Sequence, residues 1–575
     1  MPAKLTKHSD EVVRVKLSGT KPEFQDLLAK TKSIAGRRWN PDEKVWELPC
    51  EAEVIQKAVN ILQPELDAAL QALVREARGA VADDLVTRVP DDADLLHPIA
   101  SSLYPYQRAG IDWLVTHPHS ILADDMGLGK TVQALAVVAE AEQRQAYEPD
   151  VLARPRLIVC PNSLKANWVR EIELWLGEAV PVTVLDGKNP AARRKQLAEA
   201  AAKPGAWIIV NWEKLRLLPE LEKIAWLAVI GDEAHRAKNR KAKQTKALWK
   251  LKAPIQLALT GTPIMNSPDE LWPVLRWLRP EQYTSYWRFF YEYVDSYEVD
   301  FGSRRSRIVT GVRNADALRF ELSDKLIRRT KDNVLDLPAK TRQIVPVELR
   351  PAQRRLYAEA EKEALLAVEQ AFEQADTDEQ RDAIRAALES GNPKTLELLI
   401  DGGAARVTRL RQIASSPALL GGEDESGKYD AVQEIIADAP HKPFVVFCWF
   451  KGAAELIAGR LRKDGRRAEP FTGDTHPDER ERLVRRFQDG ELDVLVCTLA
   501  TAGVGLTLTA ADTCIFVERD WTPAINQQAE DRLHRIGQEN HVTVIVLEAP
   551  GTIDTGKIAP KNRLKEAIVG AVIGS

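Results

Sequence analysis

The stretch "DDMGLGKT" (124–131) follows the apolar pair Ile121–Leu122 and leads into "TVQALAVVAEAEQ" (131–143), a helical pattern. Strand, glycine-rich turn and helix in that order make the setting of a phosphate-binding loop, where backbone N–H groups and a helix N-terminus face an anion. The usual loop opens with glycine, then four residues, then Gly-Lys-Ser/Thr. Here the opening position is Asp124. Read as a nucleotide site, Asp124, Met126, Gly127, Leu128 and Gly129 form the loop, Lys130 reaches the β- and γ-phosphates, and the Thr131 hydroxyl ligates Mg²⁺. A bland glycine-rich turn is the competing reading.

Outward from this loop the texture is regular. Short apolar runs alternate with helical stretches: "RLIVCPNS" (156–163), "AWIIVNWE" (206–213), "LAVIGDEAH" (227–235) and "IQLALTGTP" (255–263). The rhythm resumes with "PFVVFCWF" (443–450), "LDVLVCTLA" (492–500), "TCIFVERD" (513–520) and "VTVIVLE" (542–548). Such alternation predicts an α/β protein with two doubly wound parallel-sheet lobes. The first lobe is expected over 101–335, with a helical insertion at about 266–325. A charged helical insertion and interlobe connection occupies 336–427, and the second lobe runs over 428–575 with a short tail.

Two strand ends add chemistry. Asp232 and Glu233 close a buried-type strand: Asp232 can hold Mg²⁺ beside Thr131, and Glu233 can orient or deprotonate a water. Thr260, Gly261 and Thr262 close another, where small hydroxyl residues can sense a nucleotide and pass the signal between lobes.

Together "DDMGLGKT", "DEAH" and "LTGTP" resemble motifs I, II and III of superfamily-two helicases, and "MGLGKT" resembles the Swi/Snf-type branch. That branch opens its phosphate loop with an acidic residue, so Asp124 is a family trait; Asp125 stands where Glu is more usual. The resemblance covers roughly residues 100–555. It implies an ATPase using ATP and Mg²⁺, with two RecA-like lobes. "LYPYQRAGIDWL" (103–114) resembles the Q motif, implying that Gln107 reads adenine. "IVCPNSLKANWVREIELW" (158–175) resembles motif Ia, implying DNA-backbone contacts at Pro161 and Asn162. "LIRRTKDNVLDLPAKT" (326–341) and "LRQIASSPALL" (410–420) are also branch-like. "TLATAGVGLTLTAADTCIFVERDWTPAINQQAEDRLHRIGQ" (498–538) resembles motifs V and VI without a gap. It implies nucleotide contacts at Gly505 and Gln528, and DNA contacts at Thr498 and Gly503, with Thr262 from motif III. Arg532 and Arg535, three apart, are expected on one helix face, pointing at the γ-phosphate across the cleft.

Residues 1–80 read as a small α+β unit, followed by an acidic linker at 81–100. In "RRWNPDEKVWELP" (37–49), Trp39 and Trp46 flank a tight turn beside Arg37, Arg38 and Lys44. A hairpin with aromatic core residues is the plain reading; aromatic plus basic residues also suit nucleic acid. The segment resembles the HARP domain of annealing helicases, implying recognition of branched DNA.

Bulk properties set limits. A net charge of −4 over 575 residues excludes a polybasic binder, though not a local basic groove. Cys50, Cys160, Cys448, Cys497 and Cys514 form no C-x-x-C pair, and the last four lie in apolar runs, which suits buried thiols in a reducing compartment. The start has no apolar signal core and no run approaches membrane-spanning length, so an intracellular location is expected, nuclear in a eukaryote and otherwise cytoplasmic. The expected function is a DNA-stimulated translocase on duplex DNA that anneals or remodels forks and bubbles. The expected partners are DNA and single-strand-binding or replication proteins, and the expected state is a monomer. A protein-displacing or chromatin-type translocase and an ATP-switched DNA clamp are the alternatives.

Overall fold

The computed structural model describes residues 95–373 and 403–573 except 188, 301–304, 336 and 503–505, and, nearer the N-terminus, 3–9, 12–18, 24, 28, 31, 37–41, 43–49, 65 and 66. The expected helices at 21–36 and 51–63, the linker residues before 95, and Gly503 and Gly505 lie wholly or largely outside them. The chain divides into two compact units, one of residues 1–88 with 319–323, the other of 89–318 with 324–575.

In the first unit β1 (Ala3–Lys7), β2 (Val12–Leu17), β3 (Arg38–Asn40), β4 (Val45–Pro49) and β5 (Glu65–Leu66) form a sheet in the order β3-β4-β2-β1-β5. Val13 and Val15 alternate inward along β2, as a half-buried strand requires.

The second unit holds two parallel sheets. Strands β6 (His119–Leu122), β7 (Arg156–Cys160), β8 (Val182–Val184), β9 (Trp207–Asn211), β10 (Ala228–Asp232), β11 (Ile255–Leu259) and β14 (Leu326–Ile327) run β14-β6-β11-β10-β7-β9-β8. The central strands β7, β9, β10 and β11 are buried throughout, so their sequences are mainly apolar rather than alternating. Helix α1 (Pro105–Thr116) precedes the sheet, α2 (Lys130–Gln143) follows β6, and α3 (Lys165–Leu176) follows β7. Every residue of α2 from Val132 to Ala141 is buried. A helix enclosed all round fixes the loop that feeds it.

Strands β15 (Lys340–Pro346), β16 (Phe444–Cys448), β17 (Ala468–Phe471), β18 (Val494–Thr498), β19 (Thr513–Phe516) and β20 (Val542–Glu548) form the other sheet, ordered β15-β20-β19-β16-β18-β17. Period-two alternation supplies a core on each face: Val446, Cys448, Val494 and Val496 pack on one, Val445, Phe447, Leu495 and Cys497 on the other. Cys160, Cys448, Cys497 and Cys514 are free buried thiols.

Two features differ from the sequence expectation. The segment 266–325 is not all helical: β12 (Val294–Asp300) and β13 (Arg305–Val312) pair as an antiparallel hairpin. And β15, expected within a helical connection, is the edge strand of the second sheet, paired in parallel with β20 from Lys340↔Val542 to Pro346↔Glu548. Its exposed, charged sequence hid it, because an edge strand needs no apolar run. Among the described residues no helix is long and apolar enough to cross a membrane.

Candidate active site

The loop between β6 and α2 turns on two glycines in left-handed backbone, Gly127 (φ 90°) and Gly129 (φ 75°). A Cβ on Gly129 would lie 2.3 Å from Gln107 Nε2, so close approach requires glycine there as well as the φ. Lys130 opens α2, and its ammonium donates to the carbonyls of Asp124 (2.7 Å) and Asp125 (3.1 Å). Burial pulls its pKa down, against the opposing pull of Glu233, Asp124, Asp232 and Asp125. Thr131 follows in the first helical turn.

Asp124 does not face the loop's concavity. It is fully buried, its Oδ1 accepts from Arg329 N and Nε (3.0 Å each), and its Oδ2 accepts from Arg329 Nη2 (2.5 Å) and Gln133 Nε2 (3.1 Å). Four donors already occupy its carboxylate, which braces the loop. Gln107 is likewise engaged. Its Oε1 accepts from Tyr104 N (3.0 Å), closing a capping box on α1, and its Nε2 donates to Leu128 O (3.2 Å). In this structure it holds the phosphate loop.

Asp232 ends β10, and Glu233 takes a left-handed conformation (φ 52°, ψ 51°) that a non-glycine residue adopts at a cost of about 1–3 kcal/mol. Asp232 Oδ2 accepts from Trp168 Nε1 (2.8 Å), Oδ1 from Glu233 N (2.9 Å), and its carbonyl from Trp212 Nε1 (2.8 Å). Burial, then the charge of Glu233, pushes the Asp232 carboxyl up. Burial also works to raise Glu233, but His235, Lys130 and Arg532 outweigh it and hold this carboxyl below its ordinary value. Glu233 Oε2 lies 3.3 Å from His235 Nδ1, which in turn lies 3.2 Å from Thr260 Oγ1 and 3.4 Å from Thr262 Oγ1. His235 thus joins the "DEAH" and "LTGTP" strand ends.

The second lobe reaches the same place. Arg532 Nη2 lies 3.7 Å from Met126 Sδ, and a Cβ on Gly127 would sit 3.5 Å from Arg535 Cβ. Arg532 is buried, and that burial together with Arg535 lowers its pKa to about 10. Helix α4 (Pro523–Glu530) ends before either arginine. The single helix face expected for them is corrected: Arg532 and Arg535 sit on the turns after α4, and the chain leaves through left-handed Gly537. Arg535 Nη1 donates to Leu506 O (3.1 Å); of these two arginines, Arg532 has a buried Nε without a hydrogen-bond partner. Gln528 is buried on α4.

One buried donor lining this place, Arg532 Nε, lacks a hydrogen-bond partner, and Glu233 Oε2 has His235 Nδ1 beside it at 3.3 Å. A buried donor left open is costly unless something polar meets it. A phosphate suits Arg532, and its attacking water suits Glu233. Thr131 and Asp232, a hydroxyl and a carboxylate, suit a hard cation such as Mg²⁺.

The sequence-expected DNA contacts fare unevenly. Asn162 is exposed after β7, but Pro161 is buried. Thr262 is buried beside His235, and the buried Thr498 hydroxyl lies 2.9 Å from that of Thr501. The side chains of Pro161, Thr262 and Thr498 are packed within the lobes. In the other unit, Trp39 and Trp46 are cross-strand partners with ring centroids 5.2 Å apart and planes at 57°. Trp39 is 45% exposed, and Arg37 and Arg38 are exposed. Sequence reasoning passed over Trp168, whose indole donates to Asp232 Oδ2; its motif was visible, but nothing in it tells which indole faces a carboxylate.

The SNF2-related domain matches residues 106–392, and the helicase conserved C-terminal domain matches 427–537. The chain belongs to the Swi/Snf-type helicase-like ATPases. Among relatives, the TATA-binding protein-associated factor MOT1 of Saccharomyces cerevisiae is 31% identical over 81% of this chain and 27% of its own length. The probable ATP-dependent DNA helicase CHR12 of Arabidopsis thaliana is 29% identical over 78% of this chain and 40% of its own. The chain thus spans about a quarter to two fifths of these curated relatives. The solved Sulfolobus solfataricus SWI2/SNF2 ATPase core in complex with dsDNA is 26% identical, covering 84% of this chain and 96% of that one, with a TM-score of 0.38. In this Swi/Snf-type ATPase, motifs from both lobes meet at one phosphate loop.

Proposed function

We propose that this Swi/Snf-type ATPase hydrolyses ATP in response to duplex DNA, moves along the duplex, and acts on branched DNA such as forks and bubbles. The observation that carries the hydrolytic part is that Glu233, its carboxyl held below its ordinary value, and the second-lobe Arg532, whose buried Nε has no hydrogen-bond partner, both stand at the phosphate loop. Glu233, held ionised by His235, Lys130 and Arg532, takes a proton from a water as its oxygen attacks the γ-phosphorus and the bond to the bridging oxygen breaks. Lys130 leaves its two loop carbonyls for the phosphates, and Arg532 neutralises charge that builds in the transition state. Thr131 and Asp232 would hold Mg²⁺, which supplies Lewis-acid neutralisation of the phosphate oxygens. Since Arg532 belongs to the second lobe, opening and closing between lobes follows the nucleotide, and two lobes gripping DNA in alternation move along it.

The branched-DNA part rests on the exposed Trp39 beside Arg37 and Arg38, a stacking ring with phosphate-binding cations. Relatives named as TATA-binding protein-associated factors support a second reading, in which the same motor acts on a protein bound to the duplex. Hydrolysis by the full chain with no DNA, single strands, blunt duplex and forked duplex separates them. Fork-selective stimulation lost in Trp39→Ala supports the branched-DNA reading. Equal stimulation by blunt duplex, unaffected by that substitution, leaves a general duplex translocase.

A further inference from the structure

The segment Arg328–Lys331 touches both the phosphate loop and the arginine-bearing turn. On one side Arg329 pairs with Asp124, Arg328 Nη2 with Asp125 Oδ1 (3.2 Å), and Lys331 N donates to Asp125 Oδ2 (3.2 Å). On the other, the Lys331 ammonium donates to Asp531 Oδ1 at 2.8 Å and to the His534 carbonyl. Lys331 and Asp531 side chains are 4% and 6% exposed. A Cβ on Gly127 would sit 3.8 Å from Lys331 Cε, so the lysine stem lies along the loop. Asp531 and His534 bracket Arg532. Two acidic residues of the loop therefore fix a segment whose lysine fixes the arginine turn. None of these groups needs nucleotide to find its partner.

We propose that Lys331 is a positioning residue for Arg532: its buried pair with Asp531 holds the second-lobe turn in register with the phosphate loop. A buried ion pair is a poor source of stability but a good source of register, because any other alignment leaves both charges buried and unpaired. The pair sits between two lobes that must close to one geometry many times over, and a displacement of about 1 Å in such a group can cost about 10²-fold in rate. The inference rests on the reading of Arg532 as the group that stabilises the transition state.

The test is a double-substitution cycle in the full chain, measuring DNA-stimulated kcat, KM and the Kd of a fluorescent ATP analogue for Lys331→Met, Arg532→Ala and both together. Lys331→Met is expected to lower kcat about 10²-fold with the analogue's Kd unchanged. It is expected to cost almost nothing more when Arg532 is already alanine, because a residue acting through another has no effect once that other is gone. Additive losses, or an unchanged kcat in Lys331→Met, overturn the proposal. If Arg532→Ala itself leaves kcat intact, the reading of Arg532 has failed instead. Should Lys331→Met not fold, the near-isosteric Asp531→Asn is run through the same cycle with the same outcomes.

Discussion

Asp124 and Arg329, 205 residues apart in the chain, form a buried ion pair in which both carboxylate oxygens accept from the guanidinium. Arg329 Nη2 also donates to Gln133 Oε1 (2.7 Å), and its Nη1 donates to the Tyr106 carbonyl. The residue that breaks the ordinary phosphate-loop pattern is thus the strut that ties the loop to β14 and the segment after it. Asp124→Gly restores the usual pattern, yet it is expected to destabilise the protein by about 3–5 kcal/mol by leaving the buried Arg329 charge without a counter-charge. Urea unfolding reads this directly; an unchanged midpoint would refute the strut.

Trp168 gives Asp232 Oδ2 its indole hydrogen bond, from a helix that begins just after the exposed Asn162. Trp168→Phe keeps the ring and removes the donor. Partners of this kind, once lost, lower metal affinity or activity about 10–100-fold. The Mg²⁺ concentration giving half-maximal hydrolysis should rise accordingly, with folding preserved. An unaltered Mg²⁺ profile would show that the indole only fills space.

Glu233→Gln keeps shape and removes the base. Hydrolysis should fall by about 10²–10⁴-fold while nucleotide binding persists. Near-normal turnover would assign the proton to another group.

Much of this was legible in the sequence because the central strands are buried on both faces and the loop, "DEAH" and "LTGTP" all fall at strand ends. What stayed hidden is long-range. Asp124 meets Arg329, and Lys331 meets Asp531 200 residues on. Neither partner could be named from spacing, since a charged residue in a run looks the same whether it is solvated or paired. Thr262 and Thr498 were read as DNA contacts, but their hydroxyls are spent inside the lobes. Arg532 and Arg535 have helical spacing, yet α4 stops at Glu530, whose carboxylate is drawn to Lys340 (3.2 Å) and Arg342 (2.7 Å) of β15.

Lys565 lies on α5 (Ala559–Ile573) and donates to Asn266 Oδ1 (2.6 Å) and Trp521 O (2.8 Å). Burial pulls its pKa from 10.5 to about 8. The unfolded chain therefore holds a proton that the folded chain has released between those two values. Stability contributed at this site rises with pH through about 8 to 10.5 and is flat below it. Subtracting the pH profile of Lys565→Met from that of the natural chain should show this rise in the unfolding free energy. Parallel profiles would contradict the depressed lysine.

In the proposed composite site Arg532, a second-lobe residue, completes a first-lobe site. Single-turnover ATP hydrolysis with saturating duplex DNA should fall by about 10³–10⁵-fold in Arg532→Ala, with the ATP-analogue Kd unchanged. A rate equal to that of the natural chain would mean that the first lobe hydrolyses ATP unaided, and the composite site would have to be abandoned.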